Sequence, residues 1–195
     1  LDGTPVREER FYEGRPFERG VARVAAGTSW EDRKWGIMGR DGAFLMPPRY
    51  TSLSEFDENG LARFRIGERF GFVDRRGNEI TNRLWDSAGY FGDGLAPVEQ
   101  DGLWGYIDTE GNVAIDPRYD YAWEFVDGYT VVRYGDRENG QRLYIDTNGD
   151  PLNRARYPWA YVFDGPLAHI ASGPFSTGEF GYINREGEVI WEMSN

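Results

Sequence analysis

Cysteine is absent from the 195 residues, which rules out disulfides, thiolate metal sites and cysteine nucleophiles. Histidine occurs once, at His169, and lysine once, at Lys34. No apolar run approaches the roughly 18 residues of a membrane-spanning helix, and no signal-peptide pattern is present. Basic charge is in the minority: 22 Lys and Arg stand against 33 Asp and Glu, a net charge of -11. That balance argues against a nucleic-acid binder, whose affinity comes from basic groups that displace counterions from phosphates. An acidic surface serves solubility and suits a basic protein partner. The composition selects neither the cytoplasm nor an exported compartment.

Glycine, proline and aromatic residues are plentiful. With 39% hydrophobic and 16% aromatic content the chain can bury a sizeable core, and its length is that of one domain, taken here as residues 1–195. Twenty-six Gly and ten Pro, spread throughout, predict many short strands and turns with little helix.

The chain repeats itself. An aromatic-Gly pair occurs as Trp35-Gly36, Phe70-Gly71, Trp104-Gly105 and Phe180-Gly181, with Arg142-Leu143 filling the slot between the last two, at steps of 35, 34, 38 and 38 residues. Seven positions after each slot stands a Gly: Gly42, Gly77, Gly111, Gly149 and Gly187. Fifteen positions on stands an aromatic (Tyr50, Trp85, Tyr119, Tyr157), and 21 on a Phe (Phe56, Phe91, Phe125, Phe163). Phe11 and Phe17 keep the same interval ahead of the first slot, so units begin near 11, 50, 85, 119 and 157. After each Phe an alternating segment such as Leu95-Ala96-Pro97-Val98 reads as a half-buried strand, and the slot itself, as in Trp104 to Asp108, as a second. Asp74-Arg75-Arg76-Gly77-Asn78 and Asp108-Thr109-Glu110-Gly111-Asn112 read as the turns that return into a third, with Gly77 and Gly111 at positive φ. The apolar positions between aromatic and Phe, for example Tyr119, Ala122 and Phe125, are three apart and fit either a helical turn or a bulged strand.

Trp104-Gly105-Tyr106-Ile107-Asp108, followed by Gly111, Pro117-Arg118-Tyr119 and Phe125, resembles the unit of the WG repeat, a bacterial tandem repeat. The resemblance runs over nearly the whole chain and departs from the pattern most at Arg142-Leu143. It implies an all-β architecture and a binding or accessory role, some such proteins belonging to toxin and conflict systems, and it implies no particular chemistry. One meander of ~35 residues cannot bury both of its faces, so neighbouring units must stack. The expected fold is five antiparallel β-meander repeats in an open, twisted array, the alternative being a closed, five-bladed propeller-like ring. The aromatics at the slots are expected to be buried framework residues.

Catalytic and metal-binding patterns fare poorly. Asp74, Asp108 and Asp146 recur one per unit, which turn capping explains. Asp146-Thr147-Asn148-Gly149-Asp150 starts like a calcium loop but has Pro151 where the loop needs Gly and Tyr157 where it needs a bidentate Glu. His169 lacks recognisable catalytic partners, and no pair of carboxylates is singled out for glycoside hydrolysis. The chain is therefore expected to be non-enzymatic, with no cofactor and no metal. The copies differ informatively at 17 and 19 positions after the slot: Ser52 and Ser54, then Ser87 and Gly89, give way to Tyr121 and Trp123, then Trp159 and Tyr161. Aromatics that the shared fold does not demand are candidate interface anchors or local core fillers. Three segments, Gly27 to Lys34, Gly135 to Gln141 and Ser172 to Glu179, are longer than their counterparts and carry Trp30 and Phe175. The binding candidates are thus Trp30, Tyr121, Trp123, Trp159, Tyr161 and Phe175. Two functions fit: a protein-interaction module, in specific form an immunity or inhibitor protein against a basic toxin domain, or a carbohydrate-binding module with stacking Trp and Tyr residues.

Overall fold

Alternating apolar positions and Gly turns place each copy of the repeat in its own antiparallel sheet. The computed structural model describes residues 11–171, 173 and 179–192. The first sheet holds β1 (Glu13–Gly14), β2 (Val21–Ala26), β3 (Lys34–Gly39) and β4 (Phe44–Tyr50), in that order. The second holds β5 (Ser52–Leu53), β6 (Leu61–Ile66) and β7 (Arg69–Asp74). The third holds β8 (Ser87–Ala88), β9 (Leu95–Gln100), β10 (Leu103–Asp108) and β11 (Val113–Tyr119). β12 (Tyr121–Ala122), β13 (Tyr129–Tyr134) and β14 (Gln141–Asp146) form the fourth. β15 (Trp159–Ala160), β16 (Leu167–Ala171), β17 (Phe180–Asn184) and β18 (Val189–Glu192) form the fifth. The described residues are all-β: they contain no helix, hence none long and apolar enough to cross a membrane, and no sheet closes into a barrel. The stretch open to two readings holds a two-residue strand, too short to leave any periodicity in the sequence.

The turn chemistry is as expected. Gly77 and Gly111 have φ of 87° and 85°. The Asp74 carboxylate accepts the amide N–H groups of Arg76 and Asn78, both at 2.8 Å, and Asn184 does the same work for Glu186 and Glu188. The Asp74, Asp108 and Asp146 carboxylates are engaged by their own turns, and among the described residues no cluster of three His, Asp or Glu side chains forms a metal site.

The recurring spacing has a physical cause in the return from third to fourth strand. Trp104 pairs with Tyr119 and Tyr106 with Ile115, so the segment 116–118 bulges over Gly105. Trp35 with Tyr50 and Ile37 with Met46 repeat the device over Gly36. A Cβ on Gly105 would lie 2.4 Å from the Ile115 carbonyl oxygen and 2.6 Å from the Pro117 nitrogen, which is why Trp104 is followed by Gly, whereas a Cβ on Gly71 would lie 2.4 Å from the Phe64 ring. In the second and fourth sheets two of these pairs survive as isolated bridges: Phe70 with Trp85 and Arg142 with Tyr157 match Trp104 with Tyr119, while Val73 with Glu79 and Ile145 with Pro151 match Ile107 with Val113. Those sheets lack the Pro48 or Pro117 whose fixed φ keeps the segment extended.

The chain divides into two compact units, residues 1–85 and 86–195. In the first, Trp35, Ile37, Met46 and Tyr50 of the first sheet pack on Leu53, Ala62, Phe64 and Val73 of the second, with Tyr50 stacked on Phe64 at 4.1 Å. In the second, the fourth sheet is covered on both faces. Val132, Leu143 and Ile145 pack with Tyr106, Ile115 and Tyr119, whereas Val131 and Tyr144 pack with Phe163, Ala168, Ile170 and Ile183. Double coverage explains why the middles of β13 (Thr130 to Val132) and β14 (Arg142 to Ile145) are buried continuously rather than alternately. Tyrosine hydroxyls stitch these sheets: Tyr106 donates to the Trp123 carbonyl and Tyr144 to the Tyr161 carbonyl, both at 2.8 Å. The slot aromatics are less uniform than expected. Trp35 is buried, but Phe70, Trp104 and Phe180 are only half-buried. Each lies toward the sheet margin, and the deeper positions fall to residues such as Phe72, Tyr106 and Ile107.

Candidate functional site

Trp30 is carried by the loop between β2 and β3. Asp32 gathers that loop: its carboxylate accepts the Thr28 and Ser29 amides at 3.1 and 2.6 Å and their hydroxyls at 2.7 and 2.9 Å. Those four donors hold the Asp32 carboxyl well below the usual carboxylate range, the Thr28 hydroxyl contributing most. The indole of Trp30 is 68% exposed. One of its faces carries the Arg33 guanidinium at 3.3 Å, and Arg33 is in turn held by Glu13 of β1 at 2.9 Å. The result is a large aromatic on an ordered loop, backed by a tethered cation and otherwise open to solvent.

In the unit 86–195 the structure brings Tyr121 and Trp123 together with Trp104. Tyr121 is exposed, with its ring centroid 5.2 Å from that of Trp104 and 4.5 Å from that of Trp123. Arg133, its cross-strand partner on β13, lies over the Tyr121 ring at 5.3 Å. Trp123 itself is half-buried. Trp159 is half-buried too, its ring covered by the Arg142 guanidinium at 4.1 Å. Arg142, in the slot where the other copies have an aromatic, is 2% exposed and donates to the Pro158 and Arg137 carbonyl oxygens. Burial pushes its pKa down, with the nearby Arg133 adding to the effect. Tyr161 is exposed and stacks beside His169 at 5.7 Å, with Phe180 on that imidazole at 5.3 Å. Phe175 lies outside the described residues.

The six candidates therefore do not form one patch. Trp30 stands on its own loop, Tyr121 and Trp123 share an aromatic row with Trp104, Trp159 sits against Arg142, and Tyr161 sits with His169. Trp123 and Trp159 are half-buried, with neighbours against their rings, which leaves them poor platforms for a flat sugar face. Sequence reasoning missed Arg33 and Arg133, the cations that brace Trp30 and Tyr121. Their signal was positional, an Arg near a loop Trp and an Arg directly across the ladder from a Tyr, and it needs the strand register to be seen.

Comparison with known proteins places this architecture. The family described as "WG containing repeat" matches residues 35–69, 70–104 and 104–137. No curated protein matches the chain. Among solved structures, that of the eukaryotic initiation factor is similar over 95% of this chain and 54% of its own, at 11% identity and a TM-score of 0.56, a likeness of fold. Hsv2p of Kluyveromyces lactis (11% identity, 90% of this chain and 60% of that one, TM-score 0.49) resembles it more loosely. So does the uncharacterized protein lmo1340 of Listeria monocytogenes (11%, 96% and 69%, TM-score 0.46). The chain thus spans little more than half the length of the first of these.

Proposed function

We propose, from the premise that the chain belongs to the family of WG-containing repeats, that it is a non-enzymatic protein-interaction module. It engages its partner through exposed aromatics braced by arginine. The observation that carries this reading is Trp30, 68% exposed on a loop that Asp32 and Arg33 hold in place. An indole presented in a fixed position loses little conformational entropy on binding, and Trp, Tyr and Arg are the side chains that dominate interface energetics. The specific form of the proposal is an immunity or inhibitor protein that covers a basic toxin domain, with the net charge of -11 accelerating encounter.

The test uses the purified chain and the purified product of the gene next to its own. Trp30→Ala is expected to leave the unfolding midpoint unchanged and to weaken the complex by about 2 kcal/mol, the scale of an aromatic hot spot. Association should slow as salt is added, because screening shortens the reach of the acidic surface. A complex indifferent to both Trp30→Ala and Tyr121→Ala would overturn the reading, and so would substrate turnover by the isolated chain. Binding of isolated sugars lost on Trp159→Ala would replace it with the carbohydrate-binding function.

A further inference from the structure

The repeat contains its own control for a second site. In the first unit, Arg49 and Tyr50 close the fourth strand, and both side chains point to one carboxylate: Arg49 Nη2 and the Tyr50 hydroxyl each donate to Glu79 Oε1, the latter at 2.9 Å. Glu79 is in place because it pairs with Val73 at the start of the next return segment. The unit 86–195 repeats the arrangement with Arg118 and Tyr119, which occupy the same positions in their own copy. There the residue pairing with Ile145, the counterpart of Val73, is Pro151. The carboxylate is missing, and Arg118 Nη2 turns to the Tyr119 hydroxyl at 2.9 Å and the Gly149 carbonyl at 3.3 Å.

A cleft of about 370 Å³ opens where that carboxylate would lie. Arg118, Arg154 and Arg156 line it beside Tyr119, Tyr134 and Pro151, and no Asp or Glu does. Among the described residues none of the three arginines forms an ion pair. Asp116 acts on Arg118 only through space. Arg156 lies over the Tyr134 ring at 5.0 Å, and Tyr119 meets Tyr134 edge-on at 5.4 Å, so the walls are held by ring contacts. Three unpaired guanidiniums converging on one cleft, in a chain that is otherwise strongly acidic, amount to a local reversal of charge. The cleft is of the size that small ligands occupy.

We infer that this cleft binds a carboxylate-bearing ligand, whose carboxylate takes the place that the Glu79 side chain takes in the first unit. Planar guanidinium forks match the geometry of a carboxylate, and the Glu79 counterpart selects that group. The reading is independent of the protein-interaction proposal, and Trp30→Ala should leave it untouched.

Calorimetric titration of the full chain with citrate, and separately with a short oligoglutamate peptide, tests it. One citrate per chain is expected. Arg118→Ala should weaken binding at least tenfold. Pro151→Glu should do so as well, since it supplies the missing carboxylate from within and closes the site on itself. Should Pro151→Glu perturb folding, Arg154→Ala on the exposed rim replaces it. Binding of the peptide with the same dependence on Arg118 would also support the inference and assign the carboxylate to an acidic protein segment. Absence of binding to both probes, or binding unchanged by Arg118→Ala and Pro151→Glu, would overturn it.

Discussion

Replacing Gly105 by Ala adds one methyl group at the point where the repeat is least able to accept it. The new Cβ would stand 2.4 Å from the Ile115 oxygen, 2.6 Å from the Pro117 nitrogen and 2.8 Å from the Asp116 carbonyl carbon. All three are backbone atoms of one bulge, so no rotamer change relieves the contact. The bulge must retreat by roughly 1 Å to reach ordinary van der Waals separation. It is flanked by Ile115 and Tyr119, which are 3% and 1% exposed, so the retreat disturbs the packing between the third and fourth sheets. Overpacking in cores costs typically 1–3 kcal/mol, and rigid backbone on every side puts this case near 3. Gly102→Ala is the control. Its φ of 82° is unfavourable for Ala but nothing lies within 4 Å, so it should cost about 1 kcal/mol. Urea unfolding with linear extrapolation measures both. A Gly105→Ala variant within about 0.5 kcal/mol of wild type, or less affected than Gly102→Ala, would refute the argument that the signature Gly exists to pass beneath the bulge.

Trp35→Ala removes an indole that is 5% exposed and should cost roughly 3 to 5 kcal/mol, whereas Trp104→Ala, half-buried, should cost about 2, as thermal unfolding will show. Tyr106→Phe and Tyr144→Phe each delete one hydroxyl that bonds a carbonyl of the following sheet, and each should lose about 1 kcal/mol in urea titration without change of fold. The Trp30 loop should be insensitive to mild acid. Because folding holds the Asp32 pKa below its unfolded value of about 4, its contribution is complete above that pH and fades only as pH falls below it. Thr28 and Ser29 amide shifts that move between pH 6 and 5 would contradict this.

The five-copy organisation and the turns were legible in the sequence because each rests on residues with one physical use, a Gly at positive φ or an Asp capping a turn. The two-residue strands β1, β5, β8, β12 and β15 were not, because two residues cannot show an alternation. Burial at the slots was misjudged for Phe70, Trp104 and Phe180: recurrence marked a shared place in the third strand of the repeat, and was read as depth. Of the candidate site, the exposure of Trp30 followed from loop length, whereas copy-to-copy differences singled out Tyr121 without deciding between surface and core. The bracing by Arg33 and Arg133 depends on register and tertiary approach. The cleft at Arg118 depends on a single comparison, Glu79 against Pro151, whose meaning appears only once both are seen pairing with the same position of their strands.

A single residue carries the chain from one sheet to the next: Thr51 follows β4 and precedes β5, and Asp120 stands likewise between β11 and β12. The amide of each already bonds into the sheet that follows, to Arg65 and Arg133 respectively, at 2.8 and 2.9 Å. A completed sheet therefore presents the start of its successor with the first hydrogen bond in place, and contacts stay close in sequence, the condition for rapid folding. On a ribosome, where the amino-terminal end emerges first, the first sheet would serve as the template on which the second is laid down, and the third would do so for the fourth.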